Sequence, residues 1–70
     1  MRKFKLEEGY DFIELNKLLK ITQLASSGGE ANQLIMEGYV SVNGLHETQK
    51  RKKLRVGDVV ELDGEVIEIT

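Results

Sequence analysis

Seventy residues, with ten Lys and Arg against twelve Asp and Glu, suffice for one domain spanning 1–70, near the lower limit at which an apolar core holds a fold without staples. The chain has no Cys, which excludes disulfides and thiolate metal sites and suits a reducing cytosol. No stretch is apolar enough to span a membrane and the start does not read as a signal peptide, so a soluble cytoplasmic protein with room for little more than a binding surface is expected.

Phe4 and Leu6 alternate with Lys3 and Lys5 as a first strand would, and Glu8-Gly9 marks a turn before Phe12 and Ile13. From Glu14 the period lengthens. Leu15, Leu18 and Leu19 fall on one helical stripe, with Lys17 and Lys20 on the opposite side. A helix of two turns is marginal alone in water, so it must pack, and the natural partner is the stripe Ala31, Leu34, Ile35 of a second helix. Ile21, Leu24 and Ala25 are expected to fill the corner between the two. Ser27 reads as the cap of the second helix, and Glu30 three positions later completes a capping box. Gly38 is placed to end that helix in the left-handed conformation. Val40 and Val42 then alternate with Ser41 and Asn43 as a half-buried strand, which Asn43-Gly44 closes as a tight turn.

Leu45 to Thr48 returns as a short strand. Lys50, Arg51, Lys52, Lys53 and Arg55 follow, five of the ten bases, in a run too charged for a core. Leu54 and Val56 re-anchor the chain, and Gly57-Asp58 turns it. The clearest element is a hairpin of Val59–Leu62 and Glu65–Ile69 across Asp63-Gly64. Val60, Leu62, Ile67 and Ile69 share one face, suited to cover the helix pair, while Val59, Glu61, Val66 and Glu68 share the other. Asp58, Glu61, Asp63, Glu65 and Glu68 stand in a stretch without bases. The folded molecule therefore presents one positive and one negative face despite its small net charge.

An enzyme needs a nucleophile, an acid–base group or a metal in a concave site, and the inventory here is poor. His46 is the only histidine, lies beside a turn, and has no second His or Cys with which to hold a metal. The carboxylates of the hairpin read as a solvated face. Gly28-Gly29 at a helix start offers free amides to an anion, but no Lys-Ser or Lys-Thr pair follows, which excludes a nucleotide P-loop. No catalytic residue, metal or cofactor is expected. The basic run alone reads as a solvated loop. Together with Lys17, Lys20, Asn32, Gln33 and the amides of Gly28 and Gly29, however, it lines one surface of the kind that meets a phosphate backbone. Phe4, Tyr10, Phe12 and Tyr39 form no surface series, so a stacking platform for single strands is not expected.

The order Leu15-Asn16, Ser27-Gly28-Gly29-Glu30-Ala31, Leu34-Ile35, Glu37-Gly38, Val40, Val42-Asn43-Gly44, a basic loop and Val56-Gly57-Asp58 resembles the S-four domain. This is the RNA-binding module with the alpha-L motif named after the fourth protein of the small ribosomal subunit. The resemblance covers residues 13–63. With its Ser-Gly-Gly-Glu-Ala helix start and Glu47-Thr48 before the basic run, the chain looks like the small stand-alone bacterial members.

The resemblance implies an α+β fold: two packed short helices against a small, mostly antiparallel β-sheet with a C-terminal hairpin. It also implies structured RNA, ribosomal RNA among the candidates, bound by a monomer across the helix pair and the adjoining loop, without catalysis. Carried over by position, the contacts are Lys17, Lys20, Ser27, Gly28, Gly29, Asn32, Gln33, Asn43, Lys50, Arg51, Lys52, Lys53 and Arg55. Three departures shift the weight toward the basic loop. Many members carry Arg at the position of Gly28, a base at that of Asn32 and an acid at that of Asn16. The competing reading is a protein-interaction module that docks on a ribosomal or RNA-processing protein through the acidic hairpin or the basic loop.

Overall fold

Alternation of apolar and polar residues decides where the C-terminal hairpin turns its inner face, and the helices are laid over that face. In the computed structural model, which describes every residue from Met1 to Thr70, the elements in chain order are β1 (Arg2–Phe4), β2 (Ile13–Glu14), α1 (Leu15–Ile21), α2 (Gly28–Met36), β3 (Val40–Val42), β4 (Leu45–His46), β5 (Lys53–Leu54), β6 (Val59–Leu62) and β7 (Glu65–Ile69). β6 and β7 pair with Val60 opposite Ile67 and Glu61 opposite Val66. β3 lies antiparallel on the other side of β6, setting Val40 against Leu62 and Val42 against Val60. The main sheet has the order β1-β7-β6-β3-β4, and its β1–β7 pair is parallel while the other pairs are antiparallel. Both tight turns have the expected chemistry. Asn43 and Gly44 stand at φ 54° and 83°, and Asp63 and Gly64 at 51° and 79°, the paired positive φ values of the turn that matches strand twist.

The core is one cluster in which Leu15, Leu18 and Leu19 of α1 and Ala31 and Ile35 of α2 meet Val40, Val42, Val60, Leu62 and Ile69 of the sheet. No polar or charged residue is buried. Leu34 is half-buried at the edge of this cluster. α2 ends as its glycine predicts: Gly38, at φ 83°, donates its N–H to the Ile35 carbonyl at 3.1 Å, and Tyr39 donates to that of Leu34 at 3.1 Å. These are the two bonds of a Schellman cap.

The structure departs from the sequence reading in four places. Ile13 and Glu14 pair antiparallel with Leu54 and Lys53, forming a separate two-stranded sheet, so part of the basic run is strand rather than loop. The first strand stops at Phe4, and Leu6 continues only as one amide bonded to the Thr70 carbonyl at 3.2 Å. Ile21 is 49% exposed, because it stands off the stripe of buried leucines; Ala25 alone is buried in the corner, and Leu24 is half-buried there. Val56 is 69% exposed and does not anchor the chain, whereas Leu54 is fully buried. The cause is local. Asp58 donates its amide to the Arg55 carbonyl at 3.0 Å with Gly57 at φ 97°, a tight turn that puts Val56 at its tip.

This difference is measurable by urea denaturation. Leu54→Ala is expected to cost roughly 2–5 kcal/mol, as for a leucine truncated in a packed core, whereas Val56→Ala is expected to stay within about 0.5 kcal/mol of the parent.

Candidate nucleic-acid interface

A helix leaves its first amides without internal acceptors, and α1 lacks a side-chain cap at Glu14. The basic segment supplies what is missing. The Leu15 amide donates to the Lys52 carbonyl at 2.9 Å and the Asn16 amide to that of Lys50 at 3.0 Å. A turn closed by the Lys52 amide on the Gln49 carbonyl at 3.2 Å, and the Glu47 carboxylate accepting the Gln49 amide at 3.0 Å, shape the approach. The backbone of the segment is thus fastened to the start of α1, while Lys50 and Arg51 remain exposed and Lys52 half-exposed. Strand alternation puts buried Leu54 on one side and Lys53 and Arg55 on the other. Both of these cations lie over the Phe12 ring, Lys53 Nζ at 5.0 Å from its centre and the Arg55 guanidinium at 5.8 Å, a cation–π arrangement that restricts their directions.

At the start of α2, Ser27 Oγ accepts the Glu30 amide at 3.1 Å. The Glu30 carboxylate reaches back to the Ser26 amide at 2.7 Å, one residue earlier than the ordinary capping box places it. The Ser27 hydroxyl therefore has a structural duty. The Gly28 and Gly29 amides donate to no protein acceptor. Neither glycine has a positive φ, and a Cβ at Gly28 would meet nothing within 4 Å. The fold itself does not demand glycine at Gly28.

The amide residues of the expected contact set also have partners. Asn16 Nδ2 donates to Asn32 Oδ1 at 3.1 Å, joining the two helices side by side. Gln33 Nε2 donates to the Glu37 carboxylate at 2.8 Å along the exposed side of α2. Asn43 Nδ2 donates to Asp58 Oδ1 at 3.0 Å, and Asn43 Oδ1 accepts the Val59 amide at 2.9 Å. The Asp58 carboxylate also accepts the Arg55 amide at 2.8 Å. Partial desolvation raises the Asp58 pKa, but the Arg55 amide, the Asn43 amide and the charges of Lys52 and Arg55 outweigh it and hold the carboxyl below its ordinary value. Lys17 and Lys20 are exposed on α1.

Sequence reasoning gave Asn16 and Asp58 no side-chain partner and the aromatic residues no common site. Their partners lie far along the chain, so no local period signals them. Three of the four aromatics expected to form no surface series, Phe4, Tyr10 and Phe12, line one cleft of about 300 Å³ together with Lys17 of α1, and Tyr39 is not in its lining. The β1–β2 connection brings them together by turning at Gly9, whose φ is 91°, with the Tyr10 amide on the Glu7 carbonyl at 3.1 Å.

Known proteins share this architecture. A family model described as S4 domain matches residues 4–70. The chain is 39% identical over 54 residues to the Bacillus subtilis (strain 168) protein named "Probable ribosome maturation protein RlbA", covering 77% of this chain and 76% of that one. It is also 39% identical over 57 residues to the Escherichia coli (strain K12) protein named "Putative RNA-binding protein YbcJ", covering 81% of each. The solution structure of YbcJ from E. coli, described as revealing an "ALFAL motif involved in RNA-binding", matches with a TM-score of 0.74 at 36% identity, over 100% of this chain and 87% of that one. The likeness shows the expected fold, two helices against a mostly antiparallel sheet.

The Asp58 clamp has a defined pH signature. Because its folded pKa is depressed, its stabilisation is fully present above the ordinary aspartate pKa of about 3.9 and is lost as pH falls through the lower folded value. Asp58→Ala is expected to cost about 1 kcal/mol at neutral pH, two charge-assisted bonds discounted for exposure. Urea midpoints for parent and variant should keep a constant separation down to pH 4 and converge below it.

Proposed function

Because the chain belongs to the S4 domain family, we propose that it is a non-catalytic RNA-binding protein that holds structured RNA across the helix pair and the 50–55 segment. The observation that carries this reading is the fastening of the Lys50 and Lys52 carbonyls to the first amides of α1. It ties the segment that carries five cations to the start of α1, the helix that carries the exposed Lys17 and Lys20. The relatives named for RNA binding and for ribosome maturation support RNA as the ligand and make ribosomal RNA in the cytoplasm the first to test.

In this reading the residues divide by duty. Lys17, Lys20, Lys50, Arg51 and Lys52 neutralise phosphates, and Lys53 and Arg55 do so from directions set by Phe12. The free amides of Gly28 and Gly29 meet a phosphate oxygen at the positive end of α2. Ser27, Asn32, Gln33 and Asn43, each with a partner inside the protein, shape the surface and add contacts through their remaining hydrogen-bonding capacity. Recognition then rests on shape and backbone, since the major groove of an A-form helix is too deep and narrow for side chains to read. The outer face of the hairpin, where exposed Glu61 lies beside half-buried Val59 and Val66, motivates the second reading, a protein-docking module. Purification without nuclease separates the two: co-purifying RNA supports the first, and a protein partner retained after RNA removal supports the second.

With roughly five phosphates neutralised among these seven cations, log K falls with log salt with a slope of about −3 to −5. The double variant Lys50→Glu/Arg51→Glu, at exposed positions, should keep the fold, bind at least about tenfold more weakly and flatten the slope by about two. A salt-insensitive affinity, or an unchanged one in the folded double variant, removes the reading. Gly28→Arg restores a base where many family members have one and meets no neighbour. It should bind more tightly and steepen the slope by about one.

A further inference from the structure

Beside the basic segment lies the cleft formed by Phe4, Tyr10 and Phe12, with Glu7, Glu14 and Lys17 also in its lining. We propose that it receives one unpaired base of the bound RNA, guanine by preference; this rests on the RNA-binding reading above.

The aromatic content comes first. Tyr10 is 66% exposed and shares the cleft with two phenylalanines, while Leu6, Ile13 and Ile21 supply the rest of its apolar wall, so aromatic rings make up half of that wall. Bases stack on such rings irrespective of sequence. The volume of about 300 Å³ stands at the lower bound of small-molecule pockets, roughly 300–1,000 Å³, and suits one flat ring system.

Charge identifies the class of occupant. Lys17 is in the lining, and Lys53 and Arg55 lie over the ring of Phe12, itself part of the wall. An apolar peptide inserted here would bring no charge to three cations that outnumber the two carboxylates of the lining. A nucleotide brings its own phosphates to that rim while its base enters the recess. The same three cations belong to the surface proposed for paired RNA, so an unpaired nucleotide next to a stem reaches the cleft without leaving it.

The carboxylates of Glu7 and Glu14 select among the bases. A carboxylate only accepts hydrogen bonds. The Watson–Crick edge of guanine offers two adjacent donors, N1–H and the N2 amine. Adenine and cytosine each offer one amine next to a ring acceptor, and uracil offers one N–H between two carbonyls. Unpaired bases are read along this edge, and guanine is the one whose donors match a carboxylate in pairs.

The test uses the whole protein and a set of labelled RNA hairpins that share one stem and differ in a single unpaired nucleotide: G, A, U or none. Affinities are read by fluorescence anisotropy at one salt concentration. The hairpin with unpaired G should bind about tenfold tighter than the fully paired stem, the scale of one base stacked on an aromatic ring. Tyr10→Ala should erase that difference and leave paired-stem binding unchanged, Tyr10→Phe should retain it, and Glu7→Gln/Glu14→Gln should level G with A and U. Equal affinity of the parent for all four hairpins overturns the inference while leaving the basic-surface reading intact. So does an equal weakening of every hairpin by Tyr10→Ala. Failure of the parent to bind any of them, or binding indifferent to Lys50→Glu/Arg51→Glu, falsifies the underlying reading instead.

Discussion

Two backbone carbonyls, those of Lys50 and Lys52, connect the architecture to its surface chemistry. α1 is seven residues long and has no side-chain cap, and these carbonyls accept the Leu15 and Asn16 amides, which the helix itself leaves without acceptors. A helix this short does not persist by propensity, and its three fully buried leucines hold it against the core. Leu54, buried one residue beyond the run, and the pairing of β2 with β5 bring the carbonyls to the right place. Completion of the helix and presentation of the cations are therefore one event. Like charges so close together repel one another. Exposure of Lys50 and Arg51 to screening solvent and the seating of Lys53 and Arg55 on Phe12 moderate that repulsion.

Polar side chains do the remaining positioning, and they do it without buried charge. The Asn16–Asn32 bond gives two departures from the family pattern a common cause. Where the resemblance leads one to expect an acid on the first helix and a base on the second, this chain has two amides that meet each other. The amide pair joins the helices without charge, and α2 carries no base. At the other end, Asn43 and Asp58 clamp the β3–β4 turn to the turn before β6, which orients the last cation, Arg55, through its own amide.

Elements with strong local signals were legible from sequence. The Val59–Leu62 and Glu65–Ile69 hairpin, its Asp63-Gly64 turn, the Ser27 cap and the Gly38 stop each depend on residues within a few positions of one another, and all formed as read. What escaped notice depends on distant partners. β2 and β5 are two residues each, too short to carry a period, and each exists only because the other does. Val56 looked like an anchor because it is apolar, but the Arg55–Asp58 turn puts it outside. Leu15, Leu18 and Leu19 were read correctly from helical spacing, whereas Ile21, off that stripe, was not. The surface followed the same rule. The cations were visible as a run, but the ring beneath two of them and the convergence of Phe4, Tyr10 and Phe12 on one cleft were not, since the turn at Gly9 separates Phe4 from the other two and no continuous element carries all three.

The parallel pairing of β1 with β7 sets Arg2 against Ile67, near opposite ends of the chain. On a ribosome the first of these strands emerges long before the second has been made. Until then Phe4 has no β7 to lie against, and the sheet is unfinished. Loops that long close slowly relative to local contacts. The pairing of β1 with β7 is therefore expected to follow formation of the local β6–β7 hairpin, and until it forms β7 keeps an open edge.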